Sequence, residues 1–144
     1  MAENPFVGSW RLESFELRKS NGQVSFPFGK DAHGYIIYNP DSHMSVAFMR
    51  TGRPNFASEE LFSGTPEEKG LAYDTYFSYS GTYEIRGDQV IHHIEVSMFP
   101  NWTGHDQARF YRFEGDLLIL STPPLPVDGL QQTGYLIWKK SQKA

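Results

Sequence analysis

The sequence predicts an all-β domain: an up-and-down antiparallel β-barrel of about eight or nine short strands, with a short helical insertion near residues 57–74. Three observations carry this expectation. Short segments rich in β-branched and aromatic residues recur, with turn signals between them. Consecutive segments are spaced as hairpins, which favours a barrel that closes its own edges. The chain has 144 residues and no linker, internal repeat or low-complexity stretch, so it forms one domain with a sizeable core.

Taken in order, residues 8–19 read as a first strand closed by Ser20-Asn21-Gly22, in which Asn-Gly is a strong tight-turn signal. Residues 24–26 return as a second. Residues 33–38 and 43–50 pair around Asn39-Pro40-Asp41-Ser42. Residues 76–86 and 89–98 form a hairpin across Gly87-Asp88, and residues 107–113 and 117–122 form another across Glu114-Gly115-Asp116. A last strand, residues 133–139, follows the proline-rich connection Pro123-Pro124-Leu125-Pro126. Between the strands, Ser58 has the character of an N-cap before Glu59 and Glu60. Thr65-Pro66-Glu67-Glu68 repeats it, with cap, first-turn proline and acidic first turn. Two short helices, or one broken at Gly64, are expected as a lid or plug.

Composition narrows the function classes. Hydrophobic residues make up 39% and charged residues 21%, a globular balance; aromatics reach 15% through 11 Phe, 8 Tyr and 3 Trp. The absence of cysteine excludes disulfides, thiolate nucleophiles and cysteine metal sites. With 13 Lys+Arg against 17 Asp+Glu, the net charge of −4 argues against nucleic acid, which requires a concentrated basic surface. No apolar run approaches the roughly 20 residues of a membrane span. The N-terminus shows no basic stretch followed by an apolar one, so the cytoplasm is the expected compartment and the Asn101-Trp102-Thr103 sequon is expected to go unread.

Gly8-Ser9-Trp10 is similar to the G-x-W that opens the first lipocalin strand. Further matches are Tyr79-Ser80-Gly81-Thr82-Tyr83, Val90-Ile91-His92-His93-Ile94-Glu95, Phe99-Pro100-Asn101-Trp102-Thr103-Gly104 and Gln107-Ala108-Arg109. With residues 34–38 and Met44-Ser45-Val46, these resemble the small microbial lipocalin-like domain family across nearly the whole chain. The resemblance implies a calycin-type barrel with a central cavity but names no activity, since a fold does not fix a function. Some family members lie near secondary-metabolite pathways. The chain departs from secreted lipocalins in lacking their signal and disulfides, and its last strand has no arginine to lie across Trp10.

Side chains alternate across a strand, so one anchored residue assigns the rest. If Trp10 points inward as in lipocalin-like barrels, Leu12, Ser14 and Glu16 follow it. In residues 89–98 the apolar parity is Val90, His92, Ile94, Val96 and Met98, so His92 is the interior histidine and His93 faces outward. His92 is then either a core residue bonded to a tyrosine or backbone carbonyl, or a proton-transferring group. Neither face of residues 107–113 is cleanly apolar, so placing Arg109 inward, with Gln107 on its face, rests on the resemblance. Arg109 could pair with Glu16, stack on Trp10 or Trp102, or bind a ligand oxyanion. Tyr38, Tyr79 and Tyr83 are further polar handles, Met44 and Phe48 are apolar fillers, and Trp102 either packs a barrel end or lines an entrance.

The histidines show no metal-ligand spacing, and no nucleophile elbow, phosphate loop or dinucleotide fingerprint occurs, so no cofactor or metal is expected. Two readings remain. In one, the barrel binds a small hydrophobic or aromatic metabolite, contacted by Trp10, Glu16, Tyr38, Met44, Phe48, Trp102 and Gln107. In the other, it is a cofactor-independent isomerase, cyclase or dehydratase for a polyketide- or terpenoid-like metabolite. There His92 moves protons, Tyr79 or Tyr83 holds an enol and Arg109 holds its anion. A free edge or the helical insertion could support a homodimer.

Overall fold

Alternation of apolar and polar side chains gives the sheet one apolar face, and closing the sheet on itself buries it. The computed structural model describes residues 3–142. Its strands are β1 (Gly8–Arg18), β2 (Val24–Ser25), β3 (His33–Tyr38), β4 (His43–Met49), β5 (Tyr76–Arg86), β6 (Gln89–Ser97), β7 (Asp106–Glu114), β8 (Leu117–Ser121), β9 (Leu125–Val127) and β10 (Leu130–Lys140). Neighbours run β1-β3-β4-β5-β6-β7-β8-β10, and β10 pairs back onto β1. All these pairings are antiparallel, so eight strands form a closed barrel, with β2 and β9 as short additions. β9 lies where the proline-rich connection was expected to be irregular; it pairs with the start of β10 through Leu130↔Val127 and Gln132↔Leu125.

Two bulges redirect the inward faces. In β1, Leu12 pairs with Trp138 and Ser14 with Ile137, leaving Glu13 as the extra residue. Trp10 and Leu12 face inward before the bulge, and Leu17 is buried after it. The parity carried forward from Trp10 is therefore wrong beyond Glu13, and the inward assignment of Ser14 and Glu16 is corrected. The second bulge lies where Ser80 pairs with Val96 but Gly81 pairs with Ile94, leaving Glu95 over. Val90, His92 and Ile94 are buried as expected, whereas Val96 beyond the bulge is 67% exposed. Gly81 permits this close approach: a Cβ there would sit 1.9 Å from the His93 carbonyl oxygen.

One barrel end is plugged by the segment preceding β1. Phe6 is completely buried, and its ring meets Tyr38, Tyr111 and Phe113 edge-on at 4.9–5.2 Å. Its carbonyl accepts from Trp10 Nε1 at 2.9 Å, and Asn4 Nδ2 donates to Tyr83 Oη at 2.9 Å. Where secreted lipocalins place an arginine, Lys140 lies over the Trp10 ring, with Nζ 4.6 Å from its centroid, and donates to the Val7 carbonyl.

The insertion forms only one helix, α1 (Pro66–Asp74), opened by a capping box between Thr65 and Glu68. Around Ser58 there is a turn instead, in which Ser58 Oγ accepts from Glu60 N. A few residues before Gly64 cannot repay helix nucleation, and Leu61 and Phe62 find no apolar partner, at 83% and 86% exposure. α1 buries none of its residues and does not reach the barrel interior, so it is neither lid nor plug. No helix among the described residues is long and apolar enough to cross a membrane.

Gly81 and Gly70 make opposite predictions. Gly81→Ala is expected to lower stability by about 1–3 kcal/mol, because backbone must move to admit the methyl. Gly70, inside α1, has nothing within 4 Å of a Cβ, so Gly70→Ala should be neutral or stabilise by up to about 1 kcal/mol. Urea unfolding of the two variants checks the contrast.

Candidate functional site

The inward side chains divide into a packed half and a hollow half. On β3, Tyr38 joins the packed half while Ile36 borders a cavity; on β4, Met44 packs while Val46 and Phe48 border it. On β5 the division falls between Tyr83 and Tyr79, and on β7 between Tyr111 and Arg109. The hollow half offers about 280 Å³ and is almost wholly apolar. Aromatic rings supply much of its wall: Phe48 and Phe77 stack at 5.5 Å, and Phe15 and Phe28 meet Phe48 at 5.4 and 5.2 Å. Leu125 and Val127 of β9, with Pro27 and Phe28, also line it.

His92 sits between the two halves and is 1% exposed. Tyr38 Oη lies 2.7 Å from Nε2, and Tyr79 Oη lies 2.7 Å from Nδ1. Burial, reinforced by the charge of Arg109, holds the His92 pKa down at about 3, so the ring is neutral and carries one N–H. Tyr38 is sealed among Phe6 and Tyr83, at 5.2 and 4.7 Å between centroids, and His92 is its hydroxyl's partner. Two hydroxyls and one ring N–H share two contacts, so one tyrosine proton is left over; it is stranded in the sealed half unless Tyr38 donates to Nε2 and Nδ1–H donates to Tyr79 Oη. Tyr79 borders the cavity, and its own hydroxyl proton is left for whatever occupies it. Burial raises the pKa of Tyr38 and Tyr79, which keeps both hydroxyls protonated.

Arg109 is the other polar group of the wall. It is 6% exposed, and its Cζ lies 5.7 Å from the Trp102 ring centroid. Nη1 donates to the Ala108 carbonyl at 3.0 Å and to Gln107 Oε1 at 3.3 Å. The ion pairs among the described residues do not include it, so of the options open to it the pairing with Glu16 is not made, whereas Trp102 lies against it. Glu16 instead accepts from Arg18 at 2.8 Å, and the Arg18 guanidinium covers the Tyr135 ring at 3.8 Å.

Of the residues expected at the site, His92, Tyr79, Arg109, Phe48 and Trp102 border one cavity. Tyr38 reaches it only through His92. Trp10, Met44 and Tyr83 belong to the packed half, where Tyr83 Oη donates to the Asn39 carbonyl at 2.9 Å. Gln107 supports Arg109 from outside the cavity lining. Phe15, Phe28, Phe77, Leu136 and Trp138 border the cavity and were not foreseen as site residues. Phe15 is hidden from sequence by the bulge. Phe28 sits in a loop without periodicity.

Because His92 is neutral when folded and has an ordinary value near 6.5 when unfolded, the unfolded state takes up its proton first on acidification. Stability should therefore fall from pH 6.5 down towards pH 3, by roughly 1.4 kcal/mol per pH unit from this one group. His93, held by Asp106 at 2.7 Å and Glu84 at 2.9 Å, has a raised pKa and acts with the opposite sign, losing its contribution as pH rises through that value. Urea midpoints measured across this range should flatten in His92→Gln relative to the unsubstituted protein. In His93→Gln the acid loss should persist.

Comparison with known proteins agrees with this architecture. The profile of the lipocalin-like domain matches residues 7–141. The "4'-hydroxy-3'-methoxypropiophenone carrier protein ppsC" of Aspergillus oryzae is 39% identical over 106 residues, covering 67% of this chain and 96% of that protein. A crystal structure of a lipocalin-like protein from Bacteroides uniformis superposes with a TM-score of 0.50 at 12% identity, covering 96% of this chain and all of the other; it speaks to the fold alone. With its barrel and its family profile spanning nearly the whole sequence, the chain belongs to the lipocalin-like domain family.

Proposed function

We propose that this protein binds a small hydrophobic, aromatic molecule in the hollow half of its barrel and shelters it from water without changing it. The cavity carries this reading: about 280 Å³ of apolar space, walled by Phe15, Phe28, Phe48, Phe77 and Trp102. Close packing is the rule in protein interiors, and a void of this size is near the lower end for small-molecule sites. The Aspergillus relative is named as a carrier of an aryl ketone, which supports the same kind of ligand here.

The catalytic alternative depends on a group that can take and return a proton. His92 was its candidate. Both ring nitrogens are engaged by tyrosine hydroxyls, and a pKa of about 3 leaves the imidazole a feeble base near neutrality. These features support binding over proton transfer.

Trp102 and Trp138 border the cavity and Trp10 does not, so intrinsic fluorescence reports its occupation. Titration with a naphthyl methyl ketone should give saturable quenching. Leu136→Phe, which adds bulk to the wall, should weaken binding by about tenfold or more while costing stability about 1–3 kcal/mol. Absence of saturable quenching in the unsubstituted protein would overturn the reading.

A further inference from the structure

The cavity borders a cation that pairs with no carboxylate among the described residues. An arginine keeps its charge at any accessible pH, and burying an ion costs several kcal/mol unless something pairs with it. Arg109 is buried, yet the hydrogen bonds formed among the described residues engage only Nη1. Among the described residues Nε and Nη2 have no protein acceptor, and neither is sealed within the wall; the polar side-chain atoms found sealed and unpartnered there are Gln132 Oε1 and Trp138 Nε1. The side chain borders the cavity, with Trp102 against its guanidinium. A group serving only to close the barrel would be expected to spend its donors on the protein.

A second donor borders the same space. In the tautomer that satisfies the sealed Tyr38 hydroxyl, Tyr79 accepts from Nδ1–H and keeps its own hydroxyl proton free for the cavity it borders. The rest of the lining offers almost nothing polar. An apolar chamber with one uncompensated cation and one directed hydroxyl donor fits an aromatic molecule carrying an oxyanion.

We propose that the barrel selects aromatic ligands bearing an acidic oxygen, as a carboxylate, enolate or phenolate, and binds that oxygen as the anion on Arg109, with the Tyr79 hydroxyl as second donor. This rests on the cavity's being the ligand site and adds the ligand's charge. Arg109 is then kept for the ligand at the expense of the empty protein. A purely structural Arg109 would behave in the opposite way.

The test uses three ligands on one scaffold: a naphthoate, the matching naphthyl methyl ketone and the matching naphthylmethylammonium. Their affinities are measured by calorimetry for the unsubstituted protein, Arg109→Met and Tyr79→Phe, with a thermal melt of each ligand-free protein. The expected order is naphthoate tighter than ketone by about tenfold or more, the scale of a charge-assisted hydrogen bond, with the ammonium weakest. Arg109→Met should bring naphthoate and ketone together while melting at the same or a higher temperature. Tyr79→Phe should lower naphthoate affinity several-fold. If naphthoate and ketone bind the unsubstituted protein equally, the charge selection is wrong although the cavity remains a ligand site. If the ketone fails to bind, the cavity reading fails and this proposal falls with it. A preference for naphthoate that survives in Arg109→Met overturns the assignment. So does a lower melting temperature with an unchanged ligand order, which would make Arg109 structural. The comparison of ligands on the unsubstituted protein decides the charge selection even if a variant does not fold.

Discussion

A neutral imidazole held between two tyrosine hydroxyls is the constraint on which the interior is arranged. His92 occupies the level at which close packing gives way to open space, and each of its nitrogens has a partner at 2.7 Å. A buried polar ring without those partners would cost about 1–3 kcal/mol for each group left unsatisfied. Tyr38 and Tyr79 must therefore stay where they are, and they sit on strands β3 and β5 with β4 between them. His92 and Tyr79 border the cavity, and Tyr38 behind them sets the direction in which the last hydroxyl points. The packed half beneath them, centred on Phe6, gives this polar layer a rigid base.

Much of this was legible in the sequence because it depends on local signals. Turn residues and alternation located the eight barrel strands, and the apolar parity of Val90, His92 and Ile94 chose the interior histidine correctly. What escaped depends on register. An inserted residue such as Glu13 or Glu95 exchanges inside for outside along the rest of a strand, and no local pattern announces it. Glu16 and Val96 were misplaced for that reason. The helical expectation around Ser58 failed differently: the capping hydrogen bond forms, but no tertiary surface receives the apolar side chains that follow. β9 arose from pairing available only once β10 was in place, which a proline-rich segment does not advertise.

The division of the barrel could not be read from residue type. Tyr79 and Tyr83 are the same residue on the same face of one strand, yet one borders the cavity and the other is held by Asn4 and Asn39 against the plug. The difference comes from Phe6, whose position before the first strand gives no periodic signal that it enters the barrel. Met44 and Phe48 part in the same way. A wall residue becomes a site residue only by its height above the plug.

Electrostatics link the two polar groups of the cavity. The charge on Arg109 adds to burial in depressing the His92 pKa, so the guanidinium helps keep the imidazole neutral. A neutral imidazole has one donor and one acceptor, and that asymmetry gives the tyrosine–histidine–tyrosine chain a direction. Protonating His92 would make both nitrogens donors, force both tyrosines to accept and place a second cation in the same apolar space. The positive potential of the empty cavity thus protects the hydrogen-bond polarity of its floor. An anion bound to Arg109 would weaken that protection locally, but it would also give Tyr79 the acceptor its free proton lacks. The proposed acidic aromatic ligand would thus complete the hydrogen bonding of the wall while leaving His92 between its two tyrosines.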